Sequence, residues 1–249
     1  MNTKILLLAA FLLSNIIVQA QHTLQGKIEF IRKSNIHKQL EDMSSDEQGG
    51  GWFEKMKNQI PKFNVSYFDY VFNTKASFYK PGKEVENPFK MFGSAPAGAN
   101  EVYTDFGQQK VTASKAIFEQ KFLVEDSIRQ LDWKFADEVR TIANFKCRKA
   151  VAKICDSVYV VAFYTDEIVV SGGPEMFAGL PGMILELAIP RLYTTWIATK
   201  VDLYSPTKED LKMPDKGKKV NQKEMYDSLM ASIGKWGKWA QRSMWWSVL

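Results

Sequence analysis

Histidine is scarce in this sequence of 249 residues, which contains two, His22 and His37. A Ser-His-Asp or Cys-His arrangement would depend on His37, which lies in a polar stretch, and no Gly-x-Ser-x-Gly segment is present. Four zinc ligands at a recognisable spacing are missing, as are the glycine-rich loops that bind nucleotide phosphates. The sequence therefore predicts no catalytic residues, no metal site and no cofactor.

Cysteine is equally rare. Cys147 and Cys155 lie eight residues apart in FKCRKAVAKIC, which has the pattern of one strand. Eight extended residues span about 26 Å, whereas the Cα atoms joined by a disulfide lie about 6 Å apart. We therefore expect no disulfide between them and favour two small buried thiols.

A stripe of basic residues is also absent. The formal net charge is +5, but lysines alternate with acidic residues along most of the chain. Dispersed charge of this kind argues against nucleic-acid binding and limits any attraction to a membrane to peripheral contact.

A long apolar stretch occurs at the N-terminus, where Lys4 precedes a run from Ile5 to about Ile17 and the step Val-Gln-Ala ends at Ala20. This order predicts a secretory signal peptide over residues 1–20, too short for a permanent membrane helix. Its removal from 249 residues leaves 229, residues 21–249, for which we expect a single β-rich domain. The protein is predicted to be exported, either to the periplasm or to a site associated with the outer membrane.

Alternating apolar and polar residues dominate the rest of the chain. LQGKIEFI, residues 24–31, predicts a half-buried first strand, and aromatic alternation over residues 63–79 with a break at Asn73-Thr74 predicts two strands and a tight turn. Further short strands separated by turn signals, without a 20–50-residue repeat, indicate an antiparallel meander. We therefore predict a β-dominated α+β fold with a twisted antiparallel sheet. The sequence leaves open whether that sheet curls into a half-barrel.

The last segment, residues 221–249, changes to a helical pattern. Asn221 precedes Glu224 by three residues, as in a capping box. We predict one amphipathic helix over residues 222–236, packed against the sheet and followed by a tryptophan-rich tail. Its apolar stripe comprises Met225, Leu229, Ile233 and Trp236.

Tryptophans concentrate in this part of the chain. Apolar side chains so close to the last residues are candidates for binding a partner. The four candidates are Trp236, Trp239, Trp245 and Trp246.

The segment SGGPEMFAGLPG, residues 171–182, holds four glycines and two prolines in twelve residues. Leu180-Pro181-Gly182 has the residue order of a type II turn, and apolar neighbours favour a loop folded back onto the core. Anion binding by its amides is an alternative, which the lack of an adjacent Lys or Arg weakens. We predict a mainly structural role for this signature loop, carried by Gly172, Gly173, Pro174, Phe177, Gly179, Leu180, Pro181 and Gly182.

Acidic residues near the signature loop offer a second possible site. Asp166, Glu167 and Glu175 would serve general acid-base chemistry if they converged on one cleft. A solvated turn is the simpler explanation for these residues.

Residues 179–184, GLPGMI, resemble the signature of the GLPGLI family of exported Bacteroidetes proteins, mostly of unknown function, with Met183 in place of leucine. The similarity extends over roughly residues 26–220, through GKIEF, TKASFYK and FLVEDSIRQLDWKFADEVRTIANFKCRKAVA. Cys147 matches the family's usual cysteine, Cys155 is additional, and Phe163 stands where many members have tryptophan. The resemblance implies a periplasmic or surface protein, in some members encoded near outer-membrane transport components. It implies no catalytic residue.

Three functions follow as hypotheses. The first is a non-enzymatic cell-envelope protein whose sheet binds a protein partner or an apolar ligand, favoured by an aromatic content of 13%. The second is a carboxylate-based enzyme with a site near the GLPG loop. The third is an accessory role in an outer-membrane complex, docked through the four tryptophans.

Overall fold

The computed structural model describes residues 23–44, 55, 58–84, 95–155 and 157–249, with the main chain alone at 43, 44, 238 and 239. The predicted signal peptide, residues 1–20, lies outside the described residues.

The described residues form twelve strands and three α-helices. The strands are β1 (Gly26–Asn35), β2 (Phe63–Phe72), β3 (Ala76–Pro81), β4 (Glu101–Asp105), β5 (Lys110–Ile117), β6 (Gln120–Ser127), β7 (Lys134–Ile142), β8 (Phe145–Cys155), β9 (Val158–Thr165), β10 (Met183–Ile189), β11 (Thr194–Asp202) and β12 (Lys218–Val220). The helices are α1 (Ile36–Ser44), α2 (Gln222–Ile233) and α3 (Gly237–Ser247), and a 3-10 turn covers Pro190–Leu192.

All twelve strands belong to one sheet, in the order β12-β6-β5-β4-β3-β2-β1-β11-β10-β9-β8-β7. Strands β1 to β6 and β7 to β11 form two antiparallel meanders, which join where β1 pairs with β11. β12 adds in parallel to β6. The predicted β-dominated, largely antiparallel fold is confirmed. The sheet is open, because its end strands β7 and β12 are not paired with each other.

The central strand β1 follows the predicted alternation. Ile28, Phe30 and Arg32 are buried, and the residues between them are half-buried. The predicted turn after β2 is also present, since the Asn73 side-chain oxygen accepts hydrogen bonds from the amides of Lys75 and Ala76 at 2.8 and 2.9 Å. Local patterns therefore predicted these elements correctly.

The sheet curves at its β7 end. β7 and β11 are four positions apart in the strand order, which corresponds to about 19 Å in a flat sheet. Their Cα atoms nevertheless come within 8 Å of each other. The curvature also lets Arg140 on β7 form a salt bridge with Glu186 on β10 at 3.0 Å. A half-barrel shape for the whole sheet stays a prediction.

Strand β8 runs without interruption through Cys147 and Cys155, which form no disulfide with each other. Cys147 is fully buried, and burial raises the pKa of its thiol to about 12. Cys155 is half-buried.

Helix α2 begins with the predicted capping box, in which the Glu224 amide donates to the Asn221 side chain at 2.8 Å and the Asn221 amide donates to the Glu224 carboxylate at 2.9 Å. The predicted end of the helix was wrong. α2 ends at Ile233 and Gly234 follows, so Trp236 leaves the buried stripe and is 55% exposed. The expected tail instead forms the second helix α3. Among the described residues, no helix combines the length and apolar character needed to cross a membrane.

Candidate functional site

The signature loop is tied to the start of β10 by main-chain hydrogen bonds. Residues 166–182 connect β9 to β10. Within this connection, the amide of Met183 donates to the Ile168 carbonyl at 3.1 Å, and the amide of Ile184 donates to the Gly172 carbonyl at 2.8 Å. The loop is therefore held against the first residues of β10.

Side chains add to this anchoring. Phe177 and Leu180 are both buried, as predicted for a loop folded onto the core. The indole Nε1 of Trp133 donates a hydrogen bond to the Ala178 carbonyl at 3.0 Å. These contacts favour a structural role for most of the loop.

Two glycines leave room for neighbouring side chains. A Cβ on Gly172 would lie 2.1 Å from the Tyr70 hydroxyl, and a Cβ on Gly173 would lie 2.7 Å from the Cβ of Ile184. Both distances are shorter than any van der Waals contact allows. Glycine is required at these positions by packing.

The predicted type II turn was wrong. The Gly182 amide donates to the Leu180 carbonyl at 2.8 Å, which makes a three-residue γ-turn centred on Pro181. Gly182 has φ +140°, and a Cβ there would lie 2.0 Å from the carbonyl oxygen of Thr165. The Gly-Leu-Pro-Gly motif thus brings the chain close against β9.

Glu175, at the centre of the loop, is buried and has φ +56°. Its carboxylate accepts a hydrogen bond from Asn100 Nδ2 at 2.8 Å and a longer one from the Tyr79 hydroxyl at 3.3 Å. The Tyr79 hydroxyl in turn accepts a hydrogen bond from Trp196 Nε1 at 3.0 Å. The loop therefore inserts an acidic group into the core.

Arg32 on β1 is 2% exposed. Its guanidinium donates to the carbonyls of Pro96 and Ala97 at 2.9 and 3.2 Å. Cations over aromatic faces are attracted by the ring quadrupole, more so when desolvated. The guanidinium carbon lies 4.9, 5.8 and 5.6 Å from the ring centres of Phe68, Trp196 and Trp246.

Lys115 on β5 is 1% exposed. Its Nζ donates to the main-chain oxygens of Ser247 and Leu249, both at 3.0 Å. We call Arg32, Lys115 and Glu175 the buried charged cluster.

Burial dominates the electrostatics of this cluster. It lowers the pKa of Lys115 to about 7, against an opposing attraction from Glu175. Burial likewise raises the pKa of Glu175, while Asn100, Arg32 and Lys115 act in the opposite direction. The pKa of Arg32 is lowered by burial, but a guanidinium keeps its charge at neutral pH. Such perturbed groups occur at functional sites and in structural ion networks.

The three predicted acidic residues do not form one site. Asp166 is exposed and pairs with Arg148. Glu167 is exposed, and its carboxylate accepts a hydrogen bond from the amide of Lys146 at 3.3 Å. Glu175 is buried with different partners, because the loop carries it into the core. Within the described ranges, no three His, Cys, Asp or Glu side chains are grouped to hold a metal ion.

The four predicted tryptophans occupy different surroundings. Trp236 is exposed and lies edge-on to Phe118, with 6.1 Å between ring centres. Trp245 is half-buried, with the Arg191 guanidinium 5.5 Å from its ring centre. Trp246 is 5% exposed, so its assignment to a partner surface was wrong, because α3 turns this side chain into the core. The side chain of Trp239 lies outside the described part of the chain.

A cavity of about 330 Å³ lies between α2, α3 and the β8–β9 connection. Tyr226 and Met230 on its wall are 40% and 42% exposed, so the cavity is accessible from solvent. We call it the α2–α3 groove. Its apolar lining includes Cys155, Tyr226, Met230, Ala240, Met244 and Trp245.

Sequence reasoning missed Arg32 and Lys115. A signal was present, because strict alternation places Arg32 on the same strand face as Ile28 and Phe30. Lys115 likewise shares a face with the buried Ala113. A charged residue at an inward position of a strand is the pattern that would have revealed both.

The fold is similar to that of PNGF-II in two crystal forms. The P21 structure gives a TM-score of 0.53 and 14% identity over 82% of this chain and 32% of PNGF-II. The C2 structure gives a TM-score of 0.52 and 13% identity over 90% of this chain and 33% of PNGF-II. This chain thus spans about a third of the PNGF-II chain it matches. Identity this low shows a shared fold alone.

A looser overlap involves the Pseudomonas aeruginosa MucA/MucB complex, with a TM-score of 0.39 and 8% identity over 79% of this chain and 58% of the other. The two folds cannot be equated at that score.

Comparison with curated proteins found no match. The Porph_ging family model, described as a protein of unknown function, matches residues 152–186. That stretch covers the end of β8, all of β9, the signature loop and the start of β10. It includes the GLPGMI hexapeptide, so the resemblance inferred from the sequence is confirmed. Residues 152–186 therefore match a GLPGLI-type family of unknown function.

Proposed function

We propose that the protein is a non-enzymatic cell-envelope protein that binds a protein partner through the α2–α3 groove. The observation that carries this proposal is the accessible cavity of about 330 Å³ with a lining of Tyr, Trp and Met side chains. Its volume falls in the range of ligand-binding clefts.

The lining favours a protein partner. Aromatic residues and methionine are enriched at protein interfaces, and methionine adapts its shape to different contacts. Exposed Trp236 and Phe118 contact each other beside the α2–α3 connection and extend the apolar surface. Arg191, exposed above Trp245, supplies a positive charge at the rim. The partner segment should therefore present apolar side chains next to a carboxylate.

The alternative of a carboxylate enzyme has lost its main support. It requires Asp166, Glu167 and Glu175 in one cleft, whereas the first two are exposed and the third is buried with other partners. Similarity of fold to PNGF-II supports no transfer of activity at 14% identity.

Export to the periplasm or the outer membrane, and a role as an accessory of an outer-membrane complex, belong to the same proposal. The N-terminal pattern and the family resemblance support an envelope location. Cell fractionation of the full chain tests it, and recovery of the protein in the cytoplasm would contradict it.

The partner is tested by site-specific photocrosslinking of the full chain in its native envelope. A crosslinker at Met230 should yield a discrete adduct with another protein, and Tyr226→Glu should abolish it. The matched control carries the crosslinker at Tyr159, which is 55% exposed and does not line the groove. Equal adducts at both positions, or none at Met230, would contradict the proposal. If a lipid is recovered with the purified protein and is lost in Tyr226→Glu, the ligand of the groove is an apolar molecule and not a protein.

A further inference from the structure

The last turn of α3 is held by side chains from three other parts of the fold. Lys115 on β5 donates to the Ser247 and Leu249 oxygens at 3.0 Å. Arg129, after β6, donates to the Val248 carbonyl at 2.6 Å, and Gln222 on α2 donates to the same carbonyl at 3.3 Å. The final carbonyls of a helix have no partners within the helix. Here the main-chain oxygens of Ser247, Val248 and Leu249 are bound by donors from elsewhere.

The side chains of this segment enter the core beside the cluster. Trp246 lies 6.2 Å from Trp196 between ring centres and 5.6 Å from the Arg32 guanidinium. Leu249 is fully buried and Met244 is nearly so. The segment thus fills a space lined by aromatic rings and cations.

The three charges of the buried charged cluster sum to one positive charge, and Arg129 adds a further cation at the same helix end. Arg32 and Lys115 are cations and Glu175 is an anion, all at least 98% buried. If a proton passes from Lys115 to Glu175, the sum is still one positive charge. Buried charge is costly unless it is compensated, and the C-terminal end of a helix carries partial negative charge. The α3 carbonyls supply that compensation, which simple apolar packing would not require.

We propose that the space beneath α3 is a peptide-binding site for a helix end with the pattern Trp-x-x-Leu, which Trp246 and Leu249 provide here. The chain's own residues 244–249 occupy this site. The same segment of a second copy of the chain can replace them. Lys115 and Arg129 bind the terminal carbonyls, and the Arg32 and Trp196 surface binds the indole. α3 makes no strand pairing, and three residues, 234–236, connect it to α2.

The connection between the helices permits a direct test. Lys235 and Trp236 are exposed, so a specific protease site inserted between them can be cut after the full chain has folded. The probe is a fluorescent synthetic peptide of residues 237–249. We expect it to exchange with the cut segment and give saturable binding by fluorescence anisotropy, and Lys115→Met should weaken this binding at least tenfold. Lys110→Met, exposed on the same strand, is the matched control and should leave binding unchanged.

A variant of the probe guards against a folding defect in Lys115→Met. A peptide with Trp246→Ala, added to the unaltered cut chain, should bind at least tenfold more weakly. Loss of the fold on cutting, or an intact fold that does not exchange the peptide, would show that α3 is a permanent core element. Uncut chains bearing two different tags should form mixed dimers when incubated together. Peptide exchange without mixed dimers would overturn the assignment of a second copy as the occupant.

Discussion

The Tyr70 hydroxyl occupies the space that a side chain on Gly172 would need, because a Cβ there would lie 2.1 Å from the oxygen. Gly172→Ala should therefore lower the free energy of unfolding by about 1–3 kcal/mol through overpacking. Urea unfolding measures the change. Gly107→Ala is the matched control, since its Cβ would meet nothing closer than an Asp105 side-chain oxygen at 3.3 Å. We expect that variant to stay within about 0.5 kcal/mol of the wild type.

Removal of the hydroxyl should relieve the same clash. Tyr70→Phe in the Gly172→Ala background leaves the nearest ring carbon 3.2 Å from the new Cβ. The double variant should be more stable than the sum of the two single changes predicts. Simple additivity would show that another contact explains the glycine.

Gly182 combines a positive φ of +140° with a Cβ position 2.0 Å from the Thr165 carbonyl oxygen. Gly182→Ala should cost about 3 kcal/mol or more, because strand backbone cannot move aside as a side chain can. Gly179→Ala is the comparison, with φ +91° but no atom closer than 3.6 Å. The loss of unfolding free energy in Gly179→Ala should come from backbone strain alone. If urea unfolding finds equal costs for the two variants, close approach to β9 does not explain Gly182.

Arg32 and Glu175 should be coupled energetically. Arg32→Met leaves the buried carboxylate without one of its compensating charges, so we expect a loss of about 3–5 kcal/mol. Adding Glu175→Gln should recover part of that loss, with a coupling of about 0.5–3 kcal/mol in a double-mutant cycle. Lys33→Met, exposed next to Arg32, should change stability little. Strict additivity of the two core changes would contradict the coupling.

Lys115 should make stability depend on pH. Its pKa is about 7 in the folded protein against 10.5 for an exposed lysine. Between these values the unfolded chain retains a proton that the folded chain has released, so the free energy of unfolding rises with pH. Glu175 has a raised pKa and contributes the opposite trend from about pH 4.5 upward. The measurement is therefore made in the Glu175→Gln background.

Urea unfolding of Glu175→Gln from pH 7 to 9 should show the rise, and Glu175→Gln/Lys115→Met should lack it. The range stops at pH 9 because Cys147, whose pKa is raised from 9.0 to about 12, lowers stability above that value. Lys110→Met in the same background should keep the rise. If the free energy of unfolding changes with pH in parallel for Glu175→Gln and Glu175→Gln/Lys115→Met, the rise does not come from Lys115.

Features that depend on neighbouring residues could be predicted from the sequence. The turn after β2 rests on Asn73, and the start of α2 rests on Asn221 and Glu224, three residues apart. The compact signature loop follows from its glycines and prolines, although the turn around Pro181 differs in type because its hydrogen bond closes after two residues.

Features that depend on distant residues could not be predicted. The pairing of β1 with β11 joins residues about 160 or more positions apart, and no local pattern specifies it. The buried charged cluster assembles from β1, β5 and the signature loop, so strand alternation can indicate that Arg32 and Lys115 face inward but not that they lie near Glu175. Trp246 was misplaced for the same reason, since its burial depends on where α3 packs.

The central position of β1 also governs how the chain folds. One edge of β1 can pair early with β2, but the other must wait for β11, at Lys27↔Asp202 through Ser34↔Thr194. Until β11 pairs, the middle of the future sheet is an open edge, and unpaired edges recruit other strands. Non-local pairing of this kind also slows folding, so refolding yield should fall steeply as protein concentration rises.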